Sequence, residues 1–218
     1  MHGITGVPSV PTDQKVVDSS SARRARLKAV AVRGSFFHIY GGNDMYKVLV
    51  VVDMQKDFID GALGFDGAEK IIPGIAAKIR EFEEAGDQIV YTLDTHFENY
   101  MDTQEGKNLP VPHCIKGSDG WALCDELKPL LEGKKAFEKL TFGSVDLALY
   151  LKENAEDISA VEVCGLVSNI CVVSNAVIAK AAAPEAEIIV DSSLTASFDP
   201  KLHQATLDVL KGIQVTVL

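Results

Sequence analysis

The sequence predicts an α/β domain of three layers: a mostly parallel six-stranded sheet with helices on both faces. Three observations predict it. Short apolar runs such as VLVVV (48–52) suit buried strands. Segments with helical periodicity separate them, so strands and helices alternate along the chain instead of clustering. No apolar run approaches the roughly 20 residues that a membrane helix needs.

The first strand, residues 47–53 (KVLVVVD), is rich in Val and closes on an acid. Residues 73–86 (PGIAAKIREFEEAG) predict a helix. Ile75, Ile79 and Phe82 recur at i, i+4 and i+7, Pro73 lies near its start, and Gly86 suits its C′ position. The second strand, residues 88–94 (QIVYTLD), again closes on an acid. After a long polar loop, residues 119–133 read as a short helix disturbed by Pro129, and residues 135–139 (KAFEK) as a short third strand. Ser144 is placed to cap a helix over 144–155. The fourth strand is AVEVCGLV (160–167), followed by a helix over 169–183. A strand at 186–191, a helix at 200–212 and a strand at 213–217 complete the alternation.

A length of 218 residues suits one domain with a tail. The division falls at residue 45: an N-terminal extension over 1–44 and the domain over 45–218. The extension carries six Lys/Arg against three Asp, whereas the whole chain has a net charge of −10. Three readings of it stand open: an amphipathic targeting peptide, a disordered basic arm, or a stretch not natively translated, with Met45 as the true start. The acidic balance disfavours nucleic acid as a partner, because phosphate neutralisation needs the opposite sign. Four cysteines without a CxxC pair argue against a disulfide framework and for a reducing, cytoplasmic setting.

In parallel α/β sheets ligands bind beyond the carboxyl ends of the strands, so the residues there are the candidates. Cys171 falls in the first turn of a predicted helix, where unpaired N–H groups favour an anion and lower a thiol pKa. Cys164 lies inside an apolar strand and reads as a small hydrophobe. Cys171 is open to the same bland reading. Asp53 at the end of the first strand is either a turn cap or, facing Cys171, an acceptor for its proton. Lys139 at the end of the third is either a solvated charge or a cation that keeps Asp53 ionised and stabilises a thiolate. In the loop after the second strand, Asp94, His96, Glu105 and His113 bring two carboxylates and two imidazoles. That set suits Zn²⁺, Fe²⁺ or Mn²⁺, with a network of structural hydrogen bonds as the alternative.

The motifs VVVDMQKDF, TLDTHFEN, PHCIKGSDGW, FEKLTFGS and VCGLVSNICV, in this order, resemble those of the isochorismatase-like cysteine hydrolases, nearest to the nicotinamidase and pyrazinamidase branch. The resemblance spans Met45 to the C-terminus. It implies a catalytic triad of Asp53, Lys139 and Cys171, and a cis peptide at Leu166–Val167. It implies an oxyanion hole formed by the N–H groups of Val167 and Cys171, with Cys164 as packing. It implies a divalent metal, Zn²⁺ foremost, on Asp94, His96, Glu105 and His113, binding the ring nitrogen of a pyridine substrate. A small carboxamide, nicotinamide first, is the implied substrate, with another small amide, ureido or carbamoyl compound, or a non-catalytic small-ligand binding role, as the alternatives, and a homo-oligomer is the implied assembly. Phe58 matches a pocket aromatic, and Phe142 is a candidate for another. Two departures bear on the substrate. Pro110 stands where the family usually stacks an aromatic on the pyridine, and the segment after Lys139 is short. The segment DFIDGAL keeps only Gly61 of the family's usual glycine pair.

Overall fold

Val48, Val50 and Val52 point to one face of β1 (Tyr46–Val52) and Leu49 and Val51 to the other, and the two sets enter different cores. This is the two-residue side-chain period of a strand covered on both sides. The computed structural model describes residues 45–218, so the readings of residues 1–44 lie outside the described residues. In chain order the elements are β1, α1 (Lys56–Ile59), α2 (Ile72–Ala85), β2 (Gln88–Asp94), α3 (Gln104–Asn108), α4 (Lys128–Leu131), β3 (Lys135–Lys139), α5 (Val145–Glu153), β4 (Ile158–Gly165), α6 (Val173–Ala182), β5 (Glu187–Thr195), α7 (Pro200–Gly212) and β6 (Thr216–Val217). The strand order is β3-β2-β1-β4-β5-β6, and every pairing is parallel.

One core lies under α2, where Ile72, Ile75, Ile79 and Phe82 meet Leu49, Val51, Ile89 and Cys164. The other lies under α5, α6 and α7, where Leu147, Leu151, Ala176, Ala179, Leu207 and Leu210 meet Val48, Val50, Val161, Val163 and Val190. Among the described residues no helix is long and apolar enough to cross a membrane.

Three elements differ from the sequence reading. Pro129 does not disturb a long helix; it sits in the first turn of the four-residue α4, where a missing N–H costs nothing. Ahead of it the backbone pairs with the segment after β1 instead: Lys56 N–H donates to Ala122 O at 3.0 Å, Asp57 N–H to Gly120 O at 3.0 Å, and Cys124 N–H to Met54 O at 2.9 Å. The last strand is cut to two residues, because Ile213 and Val215 still donate back into α7 and Gln214 turns at φ 66°. The helix after β4 opens with a π-turn, Ser168–Val172, before α6 begins.

Gly165 fixes how β4 delivers the chain to that turn. Its φ is +111°, and a Cβ there would collide with the Val52 carbonyl oxygen, which accepts the Leu166 N–H at 3.0 Å. Gly165→Ala is expected to cost about 2–4 kcal/mol, from a disfavoured φ and forced separation of β1 and β4. The check is thermal denaturation: a melting temperature within 2 °C of the parent, roughly 1 kcal/mol or less, would remove this role.

Candidate active site

The chain runs from β1 outward through β2 to β3, then returns to place β4 on the other side of β1. Crevices in doubly wound sheets open at such a reversal, beyond the carboxyl ends of the strands. Here those ends carry Asp53 after β1, Asp94 closing β2, Lys139 closing β3, and the cis peptide Leu166–Val167 after β4. Gln55 ties the first two ends together. Its amide donates to Asp94 O at 2.9 Å and accepts Asp94 N–H at 2.8 Å, extending the sheet with a side chain.

Lys139 stands at the centre. Its buried ammonium is 2.7 Å from Asp53 Oδ2, 3.0 Å from Asp94 Oδ1 and 3.4 Å from Cys171 Sγ. Asp53 is fully buried, and its Oδ1 accepts the Thr92 hydroxyl at 2.7 Å. Its Oδ2 faces the ammonium as an ion pair without hydrogen-bond alignment, which leaves a lone pair for another donor. The three residues drawn from distant segments are therefore brought together, with the lysine touching both others.

The electrostatics correct the sequence reading. A helix start was expected to lower the Cys171 thiol pKa; instead burial pushes it well above the usual range, the Asp53 charge adds to that, and Lys139 only partly opposes it. At Asp53, burial raises the carboxyl pKa and the Asp94 charge adds to that, leaving it above the ordinary value, while Lys139 opposes them in the expected direction. Burial also works against the Lys139 ammonium, but Asp53, Cys171 and Asp94 outweigh it and hold its pKa well above the ordinary value. The arrangement is a neutral thiol beside a carboxylate of enhanced basicity, under a cation that keeps its proton.

Behind Cys171, the buried Asn175 joins three pieces of chain. Its Nδ2 donates to Cys171 O at 2.8 Å and to Phe142 O at 3.1 Å, and its Oδ1 accepts Ser144 N–H at 3.0 Å. The N–H of Val167 makes no backbone hydrogen bond among the described residues. Of the two aromatics expected to line the pocket, Phe58 is buried and meets His113 edge to face at 5.7 Å, whereas Phe142 is 43% exposed. Cys164 is fully buried in the α2-side core. Cys114, beside His113, is also buried and contributes no donor to the group that surrounds that histidine.

Asp94, His96, Glu105 and His113 each offer one donor atom, and all four atoms lie within 4.8 Å of one another. Asp94 Oδ2 is 3.1 Å from His96 Nε2 and 3.3 Å from His113 Nε2, and Glu105 Oε1 is 3.5 Å from His96 Nε2. His113 Nδ1 lies 2.8 Å from the Val111 carbonyl, so that nitrogen carries the proton and Nε2 is directed at the group. Burial and the Asp94 charge push the Glu105 carboxyl up. Two nitrogens and two carboxylate oxygens in a buried cluster fit a divalent transition metal. Asp94 thus touches both assemblies, one oxygen on Lys139 and the other on the imidazoles.

Sequence reasoning missed Gln55, Thr92, Tyr100 and Asn175. Gln55 and Tyr100 fall in segments that read as loops in the sequence, where neither period applies; Tyr100 opens a single 3-10 turn. Thr92 and Asn175 were legible only as polar residues inside an apolar strand and an apolar helix face, a signal for buried hydrogen bonding without a partner named.

A parallel α/β sheet with an acid, an amine and a thiol converging at its switch point defines a class, and the chain belongs to the isochorismatase domain family, whose model matches residues 47–218. It is 26% identical to the nicotinamidase of Saccharomyces cerevisiae (strain ATCC 204508 / S288c), over 79% of this chain and 99% of that protein. Its fold is similar to the nicotinamidase/pyrazinamidase PncA from Bacillus subtilis, with a TM-score of 0.70 and 30% identity over 79% of this chain and 99% of the other. It is also similar to the pyrazinamidase of Pyrococcus horikoshii in complex with zinc, with a TM-score of 0.69 and 29% identity over 79% and 98% of the two chains.

Proposed function

We propose that the protein is an amidohydrolase that converts nicotinamide to nicotinate and ammonia through a thioester on Cys171. The observation that carries the reading is the Lys139 ammonium, in contact with Asp53 and Cys171 at once. The named activities of the relatives support the substrate class.

Asp53 takes the thiol proton as Sγ attacks the amide carbon. Its raised pKa makes it a stronger base than an ordinary aspartate, and this offsets the reluctance of the buried thiol to ionise. Lys139 balances the negative charge as it moves from carboxylate to sulfur. The N–H groups of Val167 and Cys171 hold the oxyanion of the tetrahedral intermediate. The proton returns from Asp53 to the leaving nitrogen, ammonia departs, and a water deprotonated by Asp53 cleaves the thioester. Phe58 lines the substrate pocket beside His113, and Phe142 flanks it through the loop that Asn175 holds.

Asp94, His96, Glu105 and His113 would hold a divalent metal, Zn²⁺ foremost with Fe²⁺ or Mn²⁺ as alternatives, as a Lewis acid for the pyridine nitrogen. The zinc of the Pyrococcus horikoshii relative supports that assignment. The reading extends to NAD salvage, a homo-oligomer and a cytoplasmic setting. The exposed apolar side chains of Leu140, Phe142, Val145 and Leu149 support association, and four buried, unbridged cysteines support a reducing compartment.

The test is ammonia release from a panel of nicotinamide, aliphatic amides, ureido and carbamoyl compounds, with kcat/KM followed against pH. Nicotinamide is expected to lead, with an acid limb above the ordinary aspartate value of about 3.9 because Asp53 must lose its proton first. Turnover of another compound with none of nicotinamide would overturn the substrate. An acid limb at or below that value would overturn Asp53 as the base.

A further inference from the structure

Tyr100 is among the largest fully buried side chains, yet it belongs to neither apolar core. Its ring packs against both candidate metal-binding histidines, whose own rings meet edge to face at 4.7 Å. The centroids are 4.6 Å from His96, at an interplanar angle of 60°, and 5.1 Å from His113, at 76°. Both are edge-to-face contacts of the kind that aromatic pairs prefer. The hydroxyl donates to Leu109 O at 2.8 Å, so the ring is anchored at its far end as well as by its backbone.

The same residue organises the third donor. The Tyr100 carbonyl accepts both the Thr103 hydroxyl at 2.7 Å and the Thr103 N–H at 3.0 Å. That hydroxyl in turn accepts the Gly106 N–H at 3.0 Å, capping α3, whose first turn carries Glu105. Gly106 packs so closely on Tyr100 that any Cβ there would collide with the Tyr100 carbonyl. At the end of α3, Leu109 N–H donates to Glu105 O at 2.8 Å, closing a loop from the hydroxyl of Tyr100 back to Glu105.

We propose that Tyr100 is a positioning residue for the metal donors, its ring fixing the His96 and His113 imidazoles and its carbonyl fixing the turn that presents Glu105. This rests on reading the four side chains as a metal site, and is independent of which amide is hydrolysed. A residue that only fills space would add to stability and leave metal affinity alone. A residue that orients donors sets affinity, because groups that orient metal ligands typically contribute ten- to hundredfold in binding.

The experiment compares the parent protein, Tyr100→Leu and Tyr100→Phe after stripping with chelator. It measures the Zn²⁺ dissociation constant by competition titration and the melting temperature of each metal-free protein. Tyr100→Leu is expected to weaken Zn²⁺ binding by ten- to hundredfold, and Tyr100→Phe, which keeps the ring but frees it from Leu109, by about threefold to tenfold. A Tyr100→Leu protein that melts earlier but binds Zn²⁺ as the parent does overturns the proposal. Where Tyr100→Leu does not fold, Tyr100→Phe decides, and an affinity equal to the parent overturns it. A parent that binds no Zn²⁺ overturns both the metal reading and this one, whereas failure on nicotinamide with tight Zn²⁺ binding touches only the substrate.

Discussion

Cys171→Ala is expected to lower kcat for amide hydrolysis by at least about ten-thousandfold, the scale seen when a nucleophile is removed from a coupled triad. The loss arises because nothing else within reach of Asp53 and Lys139 can form the acyl intermediate. The other three cysteines are buried elsewhere, and burial pushes their thiol pKa values up, to about 11 for Cys124. The substitution removes one sulfur from a packed site and leaves the Lys139 and Thr92 contacts of Asp53 and the Lys139 contact of Asp94 in place, so the fold is expected to survive. Ammonia release by the purified variant, with circular dichroism as the folding control, makes the measurement. A variant that retains a tenth of the parental rate would mean that water attacks without a thioester, and the cysteine mechanism would be lost with it.

Lys139→Met is expected to be the most destabilising substitution at the site, by about 3–5 kcal/mol, because it leaves two buried carboxylates without their ammonium. For a domain of this size that corresponds to a fall in melting temperature of roughly 10 °C. The pH dependence has a definite sign. Burial already raises the Asp53 carboxyl, and losing Lys139 removes the main force that lowers it. A carboxyl with a raised folded-state pKa favours the folded state while protonated, and that advantage disappears as pH rises through the folded value. The deficit relative to the parent should therefore be smallest near pH 5 and largest near pH 8. Calorimetry at both values checks this, and a deficit that is flat or larger in acid would show that Lys139 contributes packing and not charge.

The fold was legible because its strands are continuous apolar runs that end in charged residues. Lys47 to Asp53 and Gln88 to Asp94 each announce both a buried strand and the residue that leaves it, and the parallel order follows from the helices between them. What failed were elements set by tertiary hydrogen bonds. Residues 119–127 have helical composition, yet their backbone groups pair with Lys56, Asp57 and Met54, and no local pattern encodes that. At the candidate site, strand ends offered Asp53, Lys139 and Cys171 only as candidates, the triad came from the family resemblance, and their proton affinities were not legible at all. The N-terminal dipole of a helix is visible in sequence, but the burial that overrides it at Cys171 is a property of the assembled layers. Tyr100 was invisible for a similar reason, since its partners, His96 and His113, are neighbours only after the loop closes.

Asp94 divides its two oxygens between the lysine and the imidazoles, and this affects how mutants must be interpreted. Any change at that position confounds two failures, loss of the cation and loss of charge balance around the sulfur, and an inactive variant cannot say which occurred. Glu105 and His96 make no contact with the lysine closer than the ion-pair limit, so they offer a cleaner handle on the metal. The same economy restricts drift during descent: a lineage that abandoned its metal could discard both imidazoles and the glutamate, but would still have to keep the aspartate.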